Sequence, residues 1–204
     1  MDQLTWSFSV AVPDRWYVRD EDPWGREAST ARAVEDRIAG RPDLAPVEPV
    51  LRRLLMDSWQ DAELQGALAA ATLWEPSDDG SGATAATLVV VAAERTEPED
   101  DDAEIAGLLD LLGANSETDL ASRQATVVDL PAGQAIRLRQ LTRTDGAQAG
   151  EAELVVDSVQ HWVPVPGRRA ILVLVGSTPC LDVAEELAAT FDAIAGSLVF
   201  EKQS

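Results

Sequence analysis

The architecture is most legible in residues 155–200, which read VVDSVQHWVPVPGRRAILVLVGSTPCLDVAEELAATFDAIAGSLVF. Two apolar runs flank the turn-forming sequence Pro-Val-Pro-Gly, which predicts a β-hairpin with strands at about 151–163 and 170–177. Thr178 followed by Pro179 then predicts a capped helix start. Apolar residues recur from there at helical spacing, so we expect one helix that runs to the C-terminus. A strand pair with a helix laid across it predicts a sheet-plus-helix core.

Outward from this segment, strand-like and helix-like patterns follow one another. Apolar residues at every second position predict a half-buried strand at 6–12, ended by Pro13. Three helices are expected, at 29–39, 47–61 and 97–113. The first should begin at Ser29 or Thr30. The third should have Gly113 at the position just past its end and a buried stripe of Ile105, Leu108, Leu109 and Leu112. The further predicted strands are 66–75, 84–93, 124–130 and 134–144.

No internal repeat and no long linker divides the sequence. We therefore expect a single domain spanning residues 1–204. Its predicted fold class is α+β, with an antiparallel sheet of six to seven strands sandwiched by helices on both faces, an α/β/α sandwich.

The net charge of the chain argues against two classes of partner, nucleic acids and anionic membranes. The 204 residues carry a formal net charge of −20, which repels nucleic-acid phosphate and anionic lipid, so we expect neither a nucleic acid nor a membrane as partner. The opening residues MDQLTWSFSVAVP lack the basic and apolar regions of a signal peptide, which predicts a cytoplasmic location. Fifteen arginines against one lysine are typical of GC-rich bacterial coding.

Reactive side chains are few. His161, the only histidine, falls in a predicted strand with Asp157 on the same face, and Ser158 on the other. Cys180, the only cysteine, is expected in the first turn of a helix, where a thiol can be activated. One histidine and one cysteine cannot by themselves close a zinc site, and phosphate-loop and nucleophile-elbow motifs are lacking. We therefore predict packing roles for both residues, and no catalytic, cofactor-binding or metal-binding residue.

An arginine stripe lies on the strand predicted at 134–144, where Arg137, Arg139 and Arg143 alternate with apolar residues. Glu151 and Glu153 open the next strand beyond a turn, which favours cross-strand ion pairs. The alternative is a surface for an anionic ligand, so the three arginines are candidate partner-binding residues.

Two of the six tryptophans are also candidates for partner binding. Trp24 lies in an acidic Pro-Gly loop and Trp74 just before a turn. Tryptophan is favoured at interface hot spots, although a ring at a strand end can equally seal the edge of a core. The other four tryptophans have core-like settings: Trp6, Trp16, Trp59 and Trp162.

Two segments carry a family resemblance. FSVAVPDRW at 8–16 resembles the apolar strand followed by Pro-x-x-Trp of the PsbP-like superfamily, and STPCLDVAEELAATFDAIAGSLVF at 177–200 resembles its last strand and final helix. That superfamily includes a photosystem II extrinsic subunit, a Ran-binding transport factor, a mycobacterial lipoprotein group and chaperones of secreted toxins. The resemblance implies an antiparallel sheet between helices and a non-catalytic protein that binds other proteins. It transfers no site residue.

The predicted function is a cytoplasmic, non-enzymatic protein-binding module, adaptor-like or chaperone-like, with a protein or peptide partner and no cofactor. One alternative is a small hydrolase-type enzyme that uses His161 or Cys180. Another is a self-associating structural protein that forms a homodimer.

Overall fold

The structure, a computed structural model, describes residues 6–19, 25–39, 45–46, 48–76, 83–94, 101–114, 123–144 and 154–201. Its strands are β1 (Ser7–Ser9), β2 (Tyr17–Val18), β3 (Ala69–Pro76), β4 (Ala83–Glu94), β5 (Arg123–Leu130), β6 (Gly133–Thr144), β7 (Leu154–Pro164), β8 (Ala170–Thr178) and β9 (Val199–Glu201). Its α-helices are α1 (Arg26–Ile38), α2 (Glu48–Leu64), α3 (Asp101–Ala114) and α4 (Ala184–Gly196).

Seven strands form one antiparallel sheet in the order β2-β3-β4-β8-β7-β6-β5. A separate two-stranded ladder joins β1 to β9. The hairpins β5–β6 and β7–β8 lie where the turn signals predicted them. The α+β class and the seven-stranded antiparallel sheet are confirmed, whereas the domain boundary of 1–204 stays a prediction.

Helices cover both faces of this sheet. Ile171 and Val173 of β8 pack in the cluster that holds the buried stripe of α3, whereas Leu172 and Leu174 pack in the cluster that holds α4. Because successive residues of a strand point to opposite faces, α3 and α4 lie on opposite sides, called here the α3 face and the α4 face. The predicted packing of helices on both faces is thus confirmed.

Helix α4 packs closely against β8 at Gly176. A Cβ at Gly176 would collide with the ring of Phe191, which lies in the space that the missing side chain leaves. Phe191 is buried and also meets Trp16 edge-on at a centroid distance of 5.9 Å. Gly176 therefore sets how near α4 approaches the sheet.

The last helix begins and ends differently from the prediction. Thr178 is still paired in β8, and its hydroxyl donates to the Ala85 carbonyl at 2.7 Å while accepting from the Cys180 N–H at 3.0 Å. A 3₁₀ turn, Leu181–Val183, follows before α4 starts at Ala184. Thr178 thus caps a turn and not an α-helix, because its hydroxyl is committed to the strand end.

The chain does not stay helical to the C-terminus. Helix α4 ends at Gly196, and β9 then pairs with β1, with Phe200 opposite Phe8. Phe200 also contacts the Trp6 ring at 5.9 Å between centroids. Aromatic packing against β1 stabilises this strand more than a further helical turn would. Of the strand predicted at 6–12, only Ser7–Ser9 is paired.

Two further helix ends were predicted wrongly. Ser29 and Thr30 lie within α1, whose N-cap is Gly25, and their hydroxyls donate to the Arg26 carbonyl at 3.0 and 2.7 Å. Gly113 lies within α3 and not beyond it. The buried stripe of α3 is as expected, with Ile105, Leu108 and Leu112 buried.

Candidate functional site

A row of polar residues crosses the whole sheet on the α3 face. Directly opposed positions on neighbouring strands place side chains side by side. From the β2 edge to the β5 edge, the row consists of Tyr17, Thr72, Thr87, Ser177, Ser158, Gln140 and Arg123. Thr87 and Ser177 share a hydrogen bond of 2.7 Å between their hydroxyls, and the Ser158 hydroxyl donates to the Gln140 carbonyl.

Helices α1 and α2 lie over one end of this row and leave a cavity of about 330 Å³ between themselves and the sheet, called here the α1–α2 cavity. The sheet contributes the row residues Thr72, Thr87 and Ser177 with Trp74 and Ala85. The opposite wall and the remaining sides are mostly apolar and are formed by Ala33, Val34, Leu51, Leu55, Val156 and Pro179. The cavity is therefore an apolar chamber above a hydroxyl-bearing part of the sheet.

Arg37 and Tyr17 form the polar side of this cavity. The Arg37 guanidinium lies 4.7 Å from the centre of the Tyr17 ring, a cation–π distance. Its Nη1 pairs with Glu75 at 3.4 Å, and its Nη2 donates to the Arg15 carbonyl. Its Nε is buried and has no hydrogen-bond acceptor among the described residues. A buried donor without a partner is costly, so this nitrogen favours an acceptor supplied from outside.

The Tyr17 phenol stays protonated at neutral pH. Burial raises the pKa of Tyr17, and although Arg37 opposes that shift, the nearby negative charges of Asp36 and Glu75 add to it. A neutral phenol can donate as well as accept a hydrogen bond. The cavity lining thus includes a phenol O–H and a guanidinium.

The tryptophans proposed for partner binding, Trp74 and Trp24, differ in what the structure shows of them. Trp74 lies in β3, half-buried, and lines the α1–α2 cavity. Trp24 lies outside the described residues. Trp16 and Trp59 are buried, as their settings indicated.

Two arginines of the stripe, Arg137 and Arg139, form ion pairs with carboxylates of α4 and β7. Arg137 binds Asp192 of α4 through two nitrogens at 2.7 and 3.1 Å. Arg139 binds Asp157 at 2.7 Å and Glu185 at 2.8 Å. Glu151 and Glu153, the expected partners, lie outside the described residues.

These ion pairs shape the stripe on the α4 face. The carboxylates around Arg139 raise its pKa further, and Arg139 lowers the pKa of Glu185. Arg143 is exposed near the end of β6. The roles of Arg137, Arg139 and Arg143 in partner binding stay predictions, and for the first two an anionic ligand would have to displace an internal carboxylate.

His161 is buried on the α4 face, with only 2% of its surface exposed. Its Nε2 lies 3.0 Å from Asp192 Oδ1, which also accepts from Arg137. Burial lowers the pKa of His161, and Asp192 only partly opposes the shift, so the ring is neutral at pH 7 and its Nε2–H donates a hydrogen bond to Asp192. Asp157, the partner suggested by strand spacing, accepts from Arg139 instead.

Cys180 sits at the start of the 3₁₀ turn and not in the first turn of an α-helix. Its Sγ accepts from the Ala85 N–H at 3.3 Å and lies 3.5 Å from the Ala83 carbonyl. The contacts of both reactive residues are therefore those of packed groups. No hydroxyl or thiol partners His161 within the part of the chain described, and no cluster of three or more metal-ligating side chains occurs among those residues.

Sequence comparison identifies no relative. No protein-family model matches the chain. No curated protein matches it in sequence.

Comparison with solved structures finds a shared fold. The crystal structure of LpqN, described as involved in cell envelope biogenesis of Mycobacterium tuberculosis, is similar with a TM-score of 0.53 and 14% sequence identity. The match covers 98% of this chain and 87% of LpqN. At this identity the likeness shows the fold alone. Among the helices described, none is both long enough and apolar enough to cross a bilayer.

Sequence reasoning missed the α1–α2 cavity. Thr72, Thr87 and Ser177 each interrupt a strand that is otherwise rich in apolar residues. That interruption is a usable signal, because a polar residue on a covered sheet face needs a partner. The residues are far apart in sequence, and only the strand register brings them into one row.

Proposed function

We propose that this chain is a non-enzymatic, adaptor-like or chaperone-like module that binds a protein or peptide through the α1–α2 cavity. One observation carries the proposal: the cavity is apolar, about 330 Å³ in volume, and is lined by Arg37, whose buried Nε has no acceptor among the described residues. Ligand sites in proteins are typically apolar cavities of about 300–1,000 Å³ with a few polar groups that fix orientation.

The placement of reactive groups supports binding over catalysis. His161 is buried beneath α4 on the opposite face of the sheet, bonded to Asp192. Nucleophilic catalysis needs a hydroxyl or thiol within hydrogen-bond reach of its base, and His161 pairs with a carboxylate instead. A hydrolase that uses His161 or Cys180 is accordingly the weaker alternative.

We also propose that the chain is a member of the PsbP-like superfamily. A PsbP-like identity rests on the segments at 8–16 and 177–200, and the fold shared with LpqN is compatible with it. A cytoplasmic location is likewise proposed. Cell fractionation tests it, and recovery of the chain in the envelope fraction would contradict it.

Filling the cavity tests the binding function. Ala85 lines the cavity from β4, so Ala85→Leu adds three carbons to it. Ala106→Leu is the matched control, because Ala106 is exposed on α3. In a thermal-shift screen of peptides and small molecules, we expect ligands that stabilise the wild type and the control but not Ala85→Leu.

A second blocking variant, Thr72→Ile, guards against a general defect of Ala85→Leu, and circular dichroism checks that each variant is folded. Ligands that stabilise all variants equally would refute the cavity as the site. Turnover of a small substrate that is lost in His161→Ala or Cys180→Ala would contradict the non-enzymatic proposal.

A further inference from the structure

Resting on the proposed function, we infer that the α1–α2 cavity takes one large apolar side chain of a basic peptide, whose backbone carbonyl accepts a hydrogen bond from Arg37 Nε. Three observations support this inference separately: the size and walls of the cavity, the Arg37 donor that has no acceptor among the described residues, and the net charge of the chain.

Size and lining define the anchor. A volume of about 330 Å³ walled by Val34, Leu51, Leu55 and Val156 suits a single aromatic or branched aliphatic side chain. The Trp74 indole lines the same cavity and offers an aromatic face, against which a ring packs favourably. Removal of such an anchor from a ligand typically weakens binding by about 10- to 100-fold.

The polar groups define what adjoins the anchor. Arg37 Nε is a buried donor with no acceptor in the described part of the chain, and Thr72, Thr87 and Ser177 offer hydroxyls on the sheet below. A peptide backbone carries a carbonyl acceptor and an N–H donor next to every side chain. Hydroxyls serve either kind of partner. This pairing of apolar walls with mixed donors and acceptors fits a peptide better than a hydrocarbon.

Charge defines the sign of the partner. The chain as a whole carries −20, and Asp36 and Glu75 lie close enough to Tyr17 to influence its ionisation. A negative field of this kind raises the rate and affinity of binding for a cationic ligand and lowers both for an anionic one.

Three fluorescein-labelled, end-blocked nonapeptides test the inference by fluorescence anisotropy. The first has a central phenylalanine flanked by lysines, the second replaces the lysines with glutamates, and the third replaces the phenylalanine with serine. At low salt we expect the first to bind at least 10-fold more tightly than either of the others. The advantage over the glutamate peptide should shrink in 0.5 M salt, since screening weakens exposed charge interactions.

Arg37→Lys tests the donor, because it keeps the charge and loses Nε. We expect the lysine–phenylalanine peptide to bind it about 3- to 10-fold more weakly, as for one lost hydrogen bond. Arg53→Lys on the exposed side of α2 is the matched control and should bind as the wild type does.

The outcomes separate the inference from the function it rests on. If the glutamate peptide binds as tightly as the lysine peptide and Ala85→Leu abolishes both, the cavity is a binding site and the basic-peptide inference is refuted. Peptide binding that survives Ala85→Leu and Thr72→Ile would refute both proposals. If these three peptides do not bind while the screen yields other ligands sensitive to Ala85→Leu, the basic-peptide inference fails and the cavity is still a binding site.

Discussion

His161 shows how the interior sets the state of a single residue. Its imidazole is buried against Asp192, which it shares with Arg137. Burial disfavours the charged ring, and the Arg137 cation does too, so the pKa of His161 falls although Asp192 favours protonation. The outcome is a neutral histidine held by one carboxylate, which is a structural arrangement.

The pH dependence of stability follows from that lowered pKa. Below about pH 6.5 the unfolded chain binds a proton at His161 that the native chain does not bind. Stability is therefore full above that pH and declines as the pH falls towards the lowered native pKa, by at most about 1.4 kcal/mol per pH unit.

His161→Gln removes this titration, and the chain has no other histidine. Urea unfolding of both proteins between pH 7.5 and 5 should give a stability difference that changes with pH in this direction. A wild-type and His161→Gln pair whose curves stay parallel across that range would show that the native ring titrates normally.

At the residue scale, the sequence suggested Asp157 as the neighbour of His161 and missed its partner Asp192. Strand spacing pointed to Asp157, since only local periodicity is visible in sequence. Asp192 lies on α4, and the docking angle of that helix decides which carboxylate reaches the ring. The position of α4 likewise decides that Arg137 pairs with Asp192 and that Arg139 pairs with Glu185 as well as with Asp157 of β7.

The contact of α4 with β8 is the decisive packing feature at the element scale. Gly176→Ala would push a methyl group into the Phe191 ring, and overpacking of this kind costs about 1–3 kcal/mol. We expect urea unfolding to show that loss.

The double variant Gly176→Ala/Phe191→Leu tests the cause. Its loss should be smaller than the sum of the two single losses, because the smaller side chain makes room. Gly107→Ala, on the exposed side of α3 with open space around it, is the control and should be neutral or stabilising. Additive losses would show that the methyl is accommodated elsewhere.

Element interiors were predictable, and element ends were not. The apolar periods of α2, α3 and the strand pairs β5–β6 and β7–β8 match the sequence patterns, because burial imposes them directly. Thr178 followed by Pro179 has the signature of a helix start, yet Thr178 is paired in β8. Val199–Glu201 form a strand instead of continuing the helix because they pair with β1. The two strands lie at opposite ends of the sequence, so local patterns could not predict this pairing.

On the scale of the whole molecule, the two faces of the sheet have different roles. The α4 face carries a packed helix and a network of ion pairs among Arg137, Arg139, Asp157 and Asp192. The α3 face carries the polar row and keeps open space under α1 and α2. The fold class could be predicted from local patterns, but this division could not, since it depends on register across all seven strands.

The most direct test is amide hydrogen exchange with and without the lysine–phenylalanine peptide. Exchange slows where a ligand stabilises local structure. The account predicts slower exchange in α1, β3 and β4 around the α1–α2 cavity, with α3 and the β6–α4 region around His161 unchanged. Protection confined to the His161 side of the sheet, with α1 and β4 unaffected, would contradict it.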